Sequence, residues 1–476
     1  MIRTKAIALI LGGPGVGLFS LYGYVNDLTR SIAGLGINSS GVRQIAEAAG
    51  TGDAQRLART ATTLRRVALC SGAVGALLLL ALSRPVSWLT FKDYRHAGSV
   101  ALLALAVFFA DVSQGQAALV QGMRRIADLA RMSVLGAFYG TLFSIPIVYF
   151  FHEKGVVPAL VCVGAASVLT SWWYSRKIRI EPVRPTMRQS WEEISALLKL
   201  GVVFMTTGLM PVGAAYLVNI MVLRRFDLAA VGCYTAAATL GGQYVQFITQ
   251  AMGADFYPRL TGVANDHKEC NRLVNEQAEV GLLLAGPGVL ATLTFAPVVI
   301  WLFYSSTFAP AVEILRWICL GMMLRVASWP MAFILVARGE RKIYFWTELL
   351  SNSLFVFLIW AGLTVFGLNG SGIAFFGLYA VYCAGIYLVV RQLSGFRWSG
   401  ANLRLAALFT PGITAVFVSW YFLPYFATAI IGVTLTLLAG VYSLKTLCTL
   451  VSLERLPRIA QRMIALFRLA PSNTSV

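Results

Sequence analysis

Runs of about 20 apolar residues recur along almost the whole chain, and this recurrence limits the fold more than any other feature. A run of that length crosses a hydrocarbon core ~30 Å thick as an α-helix. Within that core only helices and closed barrels satisfy their own backbone polar groups, and barrel strands would show short alternating segments instead. Of the 476 residues, 58% are hydrophobic and 12% charged, whereas a soluble domain is nearer half apolar and a quarter charged. The chain is therefore read as an all-α polytopic membrane protein. Thirteen spans are expected, at about 15–36, 66–90, 98–121, 131–151, 156–175, 196–223, 228–252, 278–304, 311–337, 343–366, 371–390, 403–422 and 425–444.

The net charge of +19 does not point to nucleic acid, because the basic residues sit in short clusters between apolar runs and form no continuous face. They read as a topology signal. Loops and span edges on one side carry 28 Lys/Arg and those opposite carry 5, namely Lys92, Arg95, Lys154, Arg224 and Arg225. The rich side is expected to be cytoplasmic, with the C-terminus on it. The tail segment LERLPRIAQRMIALFRLA puts Arg455, Arg458 and Arg462 on one helical face and Ile459, Met463 and Leu466 on another. Such a helix lies in the inner interface and is drawn to anionic membrane lipids. The seven cysteines are scattered, without CxxC or Cys/His spacing, so neither a disulfide framework nor a metal site is expected. No cofactor is implied. The first apolar run continues into more membrane sequence without a small-residue cleavage site, so no cleavable signal peptide is expected.

Displacing the chain by 215 residues lays GVGLFSLYGYVNDLTRSI (15–32) on AVGCYTAAATLGGQYVQF (230–247) and LGINSSGVRQI on AMGADFYPRLT; RPVSWLTF (84–91) faces APVVIWLFY with slightly altered spacing. This internal repeat predicts two pseudo-symmetric six-helix lobes around a central cavity, as in many transporters, plus two C-terminal helices. The expected organisation is an N-lobe over 1–180, a basic cytoplasmic linker over 181–195, a C-lobe over 196–392, two further helices over 403–444, and a basic amphipathic tail over 445–476. By the repeat, a full span precedes AVGCYTA whereas only about a dozen residues precede GVGLFSL, so a first helix is expected to be missing and translation to start upstream.

Polar residues form stripes within the spans. Ser20, Tyr24, Asp27 and Ser31 share one face of the first span. Thr235, Thr239 and Gln246 take the places of Ser20, Tyr24 and Ser31 in the second half, and Gln243 and Gln250 extend that stripe. Asp111, Gln114 and Gln121 make another, and Asn219, Glu313, Arg316, Arg325 and Glu348 are isolated polar groups. Ser, Thr and Gln at such depths often only bond helix to helix, for ~0.6 kcal/mol each. A centred Arg or Asp costs ~2.5 to 3.5 kcal/mol on the most lenient scale and more often marks a pathway, although arginines near span ends can snorkel. LGGPGVG lacks the preceding strand and the Gly-Lys-Ser/Thr of a phosphate loop. No catalytic triad is evident among these residues.

The segments LGGPGVGLFSLY, GINSSGVRQIAEA, AMGADFYPRLT, VNEQAEVGLLLAGPG and ILRWICLGMMLRVASWP resemble those of the O-antigen translocases, the lipid-linked oligosaccharide flippases of the multidrug/oligosaccharidyl-lipid/polysaccharide (MOP) exporter superfamily. The family's Leu-Gly-Pro-x-Gly-Val-Gly turn appears here with Gly13 in the proline place. The resemblance implies a transporter of the bacterial inner membrane, not an enzyme. Its cargo would be an undecaprenyl-pyrophosphate-linked oligosaccharide of O-antigen or exopolysaccharide synthesis, moved from the inner to the outer leaflet by rocking of two lobes. Polymerase and chain-length proteins of the same pathway would be its partners. Related lipid II flippases carry a basic cavity residue near the corresponding point of their second helix, which favours Arg30. The candidate substrate-binding residues are Arg30, Arg325, Arg316, Asn219, Gln243, Gln246, Gln250 and Tyr24, and the candidates for ion coupling are Asp27, Asp111 and Glu348. The alternative is a multidrug exporter of the same fold, for which cavity carboxylates with aromatics would be expected. A membrane glycosyltransferase would need a sizeable outer loop, which the spacing of the spans does not allow.

Loop charge makes a topology prediction. Reporter fusions in the 176–195 linker and after Lys445 should both report cytoplasm, and a fusion near Lys92 should report the outside. Opposite locations for linker and tail would defeat the two-lobe reading.

Overall fold

The computed structural model describes residues 2–178, 180 and 187–450. Among them are sixteen α-helices and no strand. In chain order they are α1 (Ile2–Ala33), α2 (Ile37–Gly50), α3 (Ala54–Ala81), α4 (Ser83–Phe91), α5 (Ala97–Gly122), α6 (Ile126–Phe151), α7 (Val156–Ser175), α8 (Met187–Arg225), α9 (Leu228–Gly262), α10 (His267–Thr294), α11 (Ala296–Phe303), α12 (Pro310–Ala337), α13 (Arg341–Phe366), α14 (Gly370–Ser394), α15 (Gly400–Phe422) and α16 (Tyr425–Leu450). Nine stretches of the described chain are long and apolar enough to cross a membrane, and two of these, Ile126–Ser175 and Arg341–Ser394, each hold two helices. The all-α membrane fold is as the sequence predicts. Residues 451–476 of the expected 445–476 tail and residues 181–186 of the linker lie outside the described residues, and residues 445–450 close α16.

Several boundaries differ: α1 begins at Ile2 and not at 15, α8 at Met187 and not at 196, and α9 runs to Gly262 and not to 252; two further spans differ in one shared way. The expected spans 66–90 and 278–304 are each a long helix that begins about a dozen residues earlier, α3 and α10, followed by a short separate one, α4 and α11. Hydropathy places the start of a helix at its first apolar turn. The real start is set by a cap. Asp53 accepts hydrogen bonds from the backbone N–H groups of Gln55 and Arg56, and Asp266 accepts them from Lys268 and Glu269, which satisfies donors that a helix N-terminus otherwise leaves open. Two aspartates 213 residues apart thus do one job in the two halves, close to the displacement of the internal repeat. The halves differ elsewhere: α9 runs unbroken through Leu228–Gly262, whereas its counterpart is split into α1 and α2 by a turn in which Leu35 and Gly36 both have positive φ.

Contacts divide the chain into two compact units, one of Met1–Thr235 with Phe303–Thr307 and the other of Ala236–Leu302 with Phe308–Val476. The first unit keeps α8 and the opening turns of α9. Tyr216 and Ile220 of α8 are buried with Leu18, Tyr22 and Val25 of α1 and Leu103 and Val107 of α5 in one apolar cluster. A second cluster in this unit gathers Ile45, Leu64 and Leu119. In the second unit Phe256, Leu260, Val274, Met331 and Phe396 form the corresponding core.

Close helix approach in the first unit depends on glycine. The GGPGVG run is not a phosphate loop but a helix crossing. A Cβ on Gly17 would lie 2.1 Å from the Leu228 carbonyl oxygen, and one on Gly232 would lie 2.2 Å from that of Gly13. Without a hydrophobic force between helices in lipid, such small-residue contacts let backbones pack. Gly12, at φ 66°, kinks α1 just before the crossing.

Replacing Gly17 by Val should therefore force α1 and α9 apart, costing ~1 to 3 kcal/mol or more by overpacking. Fluorescence-detected size exclusion of the membrane extract should show a loss of the folded peak. Gly23→Ala is the control, since a Cβ there meets nothing within 4 Å.

Candidate functional site

In the first unit the last turns of α1 meet α5 and α3 around Arg30. Its Nη1 donates to Asp27 Oδ1 at 3.1 Å, one turn earlier on the same helix, and its Nε lies 3.8 Å from Asp111 Oδ1 on α5. Asp111 is 4% exposed, Arg30 22% and Asp27 51%. The three form a carboxylate–guanidinium–carboxylate group that is dry at one end and open at the other. Small residues admit the buried carboxylate: a Cβ on Gly34 would stand 3.5 Å from Asp111 Oδ1, and one on Gly72 would stand 3.3 Å from the aspartate's own Cβ. Neither Arg30 Nε nor Asp111 Oδ2 has a hydrogen-bond partner. Both atoms are buried, so the part of the group that faces outward is Asp27 and the exposed portion of Arg30.

The pairing of Arg30 with Asp27 is the one their i, i+3 spacing allows. That Asp111 completes it was not legible, because helices α1 and α5 meet only in the folded bundle.

Deeper in the same unit, Tyr24, Asn219 and Thr235 come together. Asn219 is fully buried. It donates to the Ala215 carbonyl at 2.8 Å and accepts from the Thr235 hydroxyl at 3.3 Å, with the Tyr24 hydroxyl within interaction range. This network joins α8 to α9 and spends both ends of the Asn219 amide on protein, so in this conformation Asn219 is a helix-to-helix link.

The second unit holds the remaining candidates, and its two arginines differ sharply. Arg316 on α12 is completely buried. Its Nη2 donates to the Phe417 carbonyl at 2.6 Å, its Nε lies 3.7 Å from Glu313, and its guanidinium faces the rings of Trp420 at 4.4 Å and Phe417 at 5.2 Å. Glu313 in turn accepts from the Tyr421 hydroxyl. Arg316, expected among the substrate-binding residues, is in this conformation enclosed by α15 and holds that helix. Phe417, Trp420 and Tyr421 form the walls of a cation cage.

Arg325, nine residues on, is half-buried, over the Tyr379 ring at 5.7 Å, and among the described residues no carboxylate pairs with it. Gln243, Gln246 and Gln250 lie exposed along α9. Glu348 is half-buried on α13, beside Tyr344 and Tyr382. Among the described residues no three His, Cys, Asp or Glu side chains are placed to hold a metal ion.

The long apolar helices define a polytopic membrane fold, and comparison with known proteins narrows that class. The polysaccharide biosynthesis protein family matches residues 17–313. The Lipid III flippase of Escherichia coli (strain K12) is 22% identical over 408 residues, which cover 82% of this chain and 94% of that protein. Among solved structures, a multidrug resistance MATE family transporter of the MOP superfamily, inward-facing, superposes with a TM-score of 0.69 at 15% identity, covering 83% of this chain and 93% of that one. The lipid II flippase MurJ, in an inward closed conformation, does so with a TM-score of 0.69 at 12% identity, covering 94% and 96%.

The chain belongs to the polysaccharide biosynthesis protein family. It has the MOP fold that the sequence resemblance implied, and it is a transporter rather than an enzyme.

The two arginines should respond differently to substitution. Arg316→Ala empties a buried cage and leaves the Phe417 carbonyl and Glu313 without their partner, a loss of about 2 to 5 kcal/mol. The unfolding temperature of the purified protein should fall clearly, and should fall less for Arg30→Gln, whose own side chain is partly open although it faces the buried Asp111.

Proposed function

We propose that this protein is a flippase for an undecaprenyl-pyrophosphate-linked oligosaccharide, an O-antigen or exopolysaccharide repeat unit, which it carries from the inner to the outer leaflet of a bacterial inner membrane. The observation that carries this reading is the Arg30 group. A sugar-pyrophosphate head cannot cross hydrocarbon unaided, while its lipid tail can stay in the bilayer. Its carrier needs a guanidinium that is reachable, prepaired and able to change partners. Arg30 has these properties: it is partly open and is held by Asp27 and Asp111 when no anion is present.

Charge-assisted, two-pronged bonds from arginine to phosphate exceed neutral hydrogen bonds in strength. In this reading Arg30 captures the phosphates, and Asp27, the more exposed carboxylate, is displaced first. Asp111 stays behind as a counter-charge and as the candidate for proton or cation coupling. Arg325, a half-buried arginine without a carboxylate partner, is the candidate for a second phosphate contact. The exposed amides Gln243, Gln246 and Gln250 suit sugar hydroxyls. Alternating access, the movement common to repeat-built transporters, would carry the head across. The relatives named as Lipid III and Lipid II flippases support a lipid-borne cargo. Polymerase and chain-length proteins of the same pathway would take over the product.

The test is complementation of a flippase-null strain. Arg30→Gln should abolish surface polysaccharide at normal protein abundance. Arg30→Lys should keep part of it, because an ammonium preserves the charge but lacks the planar fork. Normal export by the Gln variant would defeat the capture role. Raised drug sensitivity of the null strain with intact surface polysaccharide would instead favour a multidrug exporter.

A further inference from the structure

Two arginines that the proposed transport step does not use converge on one recess at the Lys/Arg-rich end of the first unit. Arg65 of α3 stands one turn before its apolar stretch, and Arg176 directly follows α7. Both line a cavity of about 180 Å³ between α3, α5 and α7. Among the described residues neither has a carboxylate partner. Both side chains are exposed at this end of the unit, and two like charges beside one cavity repel each other unless an anion lies between them. The arrangement calls for an anion.

The recess is built rather than incidental. Its floor is the contact of Ala68 with Gly115, where a Cβ on Gly115 would come within 2.4 Å of the Ala68 Cβ and close the gap between α3 and α5. Gln116 is held there by the Ser171 hydroxyl, which donates to its Oε1 at 2.5 Å. That contact leaves the amide NH₂ of Gln116 to donate. Arg176 is steadied by the Trp172 ring, 4.3 Å from its guanidinium carbon. Trp172 is itself exposed, as tryptophans at the membrane interface commonly are. Two guanidiniums and one amide therefore present donors to a single volume.

The size selects the occupant. At ~30 Å³ per water, the cavity holds roughly six waters, enough for one phosphodiester and too little for an oligosaccharide. We propose that this recess binds the phosphate of an anionic phospholipid, with the acyl chains lying along the lipid-facing side of α7, where Leu169 and Trp173 are exposed beside an apolar groove shared with α6. Basic pockets between helices at the positively charged end of a bundle are suited to such head groups. The site is separate from the Arg30 group and does not depend on the cargo assigned to it.

Native mass spectrometry of the purified full chain, with phosphatidylglycerol and phosphatidylcholine offered in equal amounts, tests this directly. Wild type should retain phosphatidylglycerol preferentially. Arg65→Gln with Arg176→Gln should weaken that binding by roughly tenfold or more, the scale of a lost charge-assisted hydrogen bond, and the paired Lys variant should keep part of it. If the double variant does not give a folded peak, Arg176→Gln alone, at the exposed end of α7, should show a weaker form of the same loss. Equal retention of both lipids, or unchanged phosphatidylglycerol binding in the folded Gln variant, would overturn the proposal. So would displacement by inorganic phosphate alone, which would make the recess a general anion site. Preference for a polyprenyl diphosphate, lost in the same variant, would overturn it by assigning the recess to the cargo.

Discussion

In hydrocarbon an unpaired peptide N–H or C=O costs several kcal/mol, and no water is present to relieve it. Everything else in this protein follows from that constraint. It makes the described chain helical, and it confines irregular backbone to places where protein closes around it. It also brings helices together by contact rather than by hydrophobic force, because lipid is as apolar as a leucine side chain. The crossing of α1 and α9 at Gly13, Gly17 and Gly232 is one result. The turn at Leu35–Gly36, packed so closely on Gly201 that a Cβ on Gly36 would come within 2.1 Å of its carbonyl oxygen, is another. That turn splits one repeat-related helix and leaves the other whole.

The same constraint sorts the charged residues. A guanidinium inside the bundle must be surrounded, and there are two ways to surround it. Arg316 is caged by a carbonyl, a carboxylate and aromatic rings, all supplied by the protein. Its Nη2 bond to the Phe417 carbonyl and its contacts with the rings tie α12 to α15. Arg30 is held by one exposed and one buried carboxylate and is itself partly exposed. What differs is access: Arg30 is partly exposed and Arg316 is not. The contrast separates a structural arginine from a candidate transport residue.

The recess of Arg65 and Arg176 belongs to a third condition. There the missing partner lies outside the protein, at the level where the bilayer itself carries phosphate. A membrane protein thus meets charge with its own groups, with its cargo, or with its solvent.

Several of these outcomes were readable in the residues alone. Apolar runs of about 20 residues admit no fold but a helical membrane bundle, and the displacement of 215 announced the repeat that the paired caps Asp53 and Asp266 and the paired short helices α4 and α11 display. The family was legible from short segments such as AMGADFYPRLT. The i, i+3 pair of Asp27 and Arg30 was legible because helix periodicity is local. What the sequence could not decide is which side chains meet across helices. Periodicity gives the face of a helix but not the neighbour it turns to, so the Asp111 partner of Arg30 and the aromatic cage of Arg316 emerged only in the packed bundle. Whether a buried charge is spent or available depends on those neighbours, and tertiary structure alone supplies them.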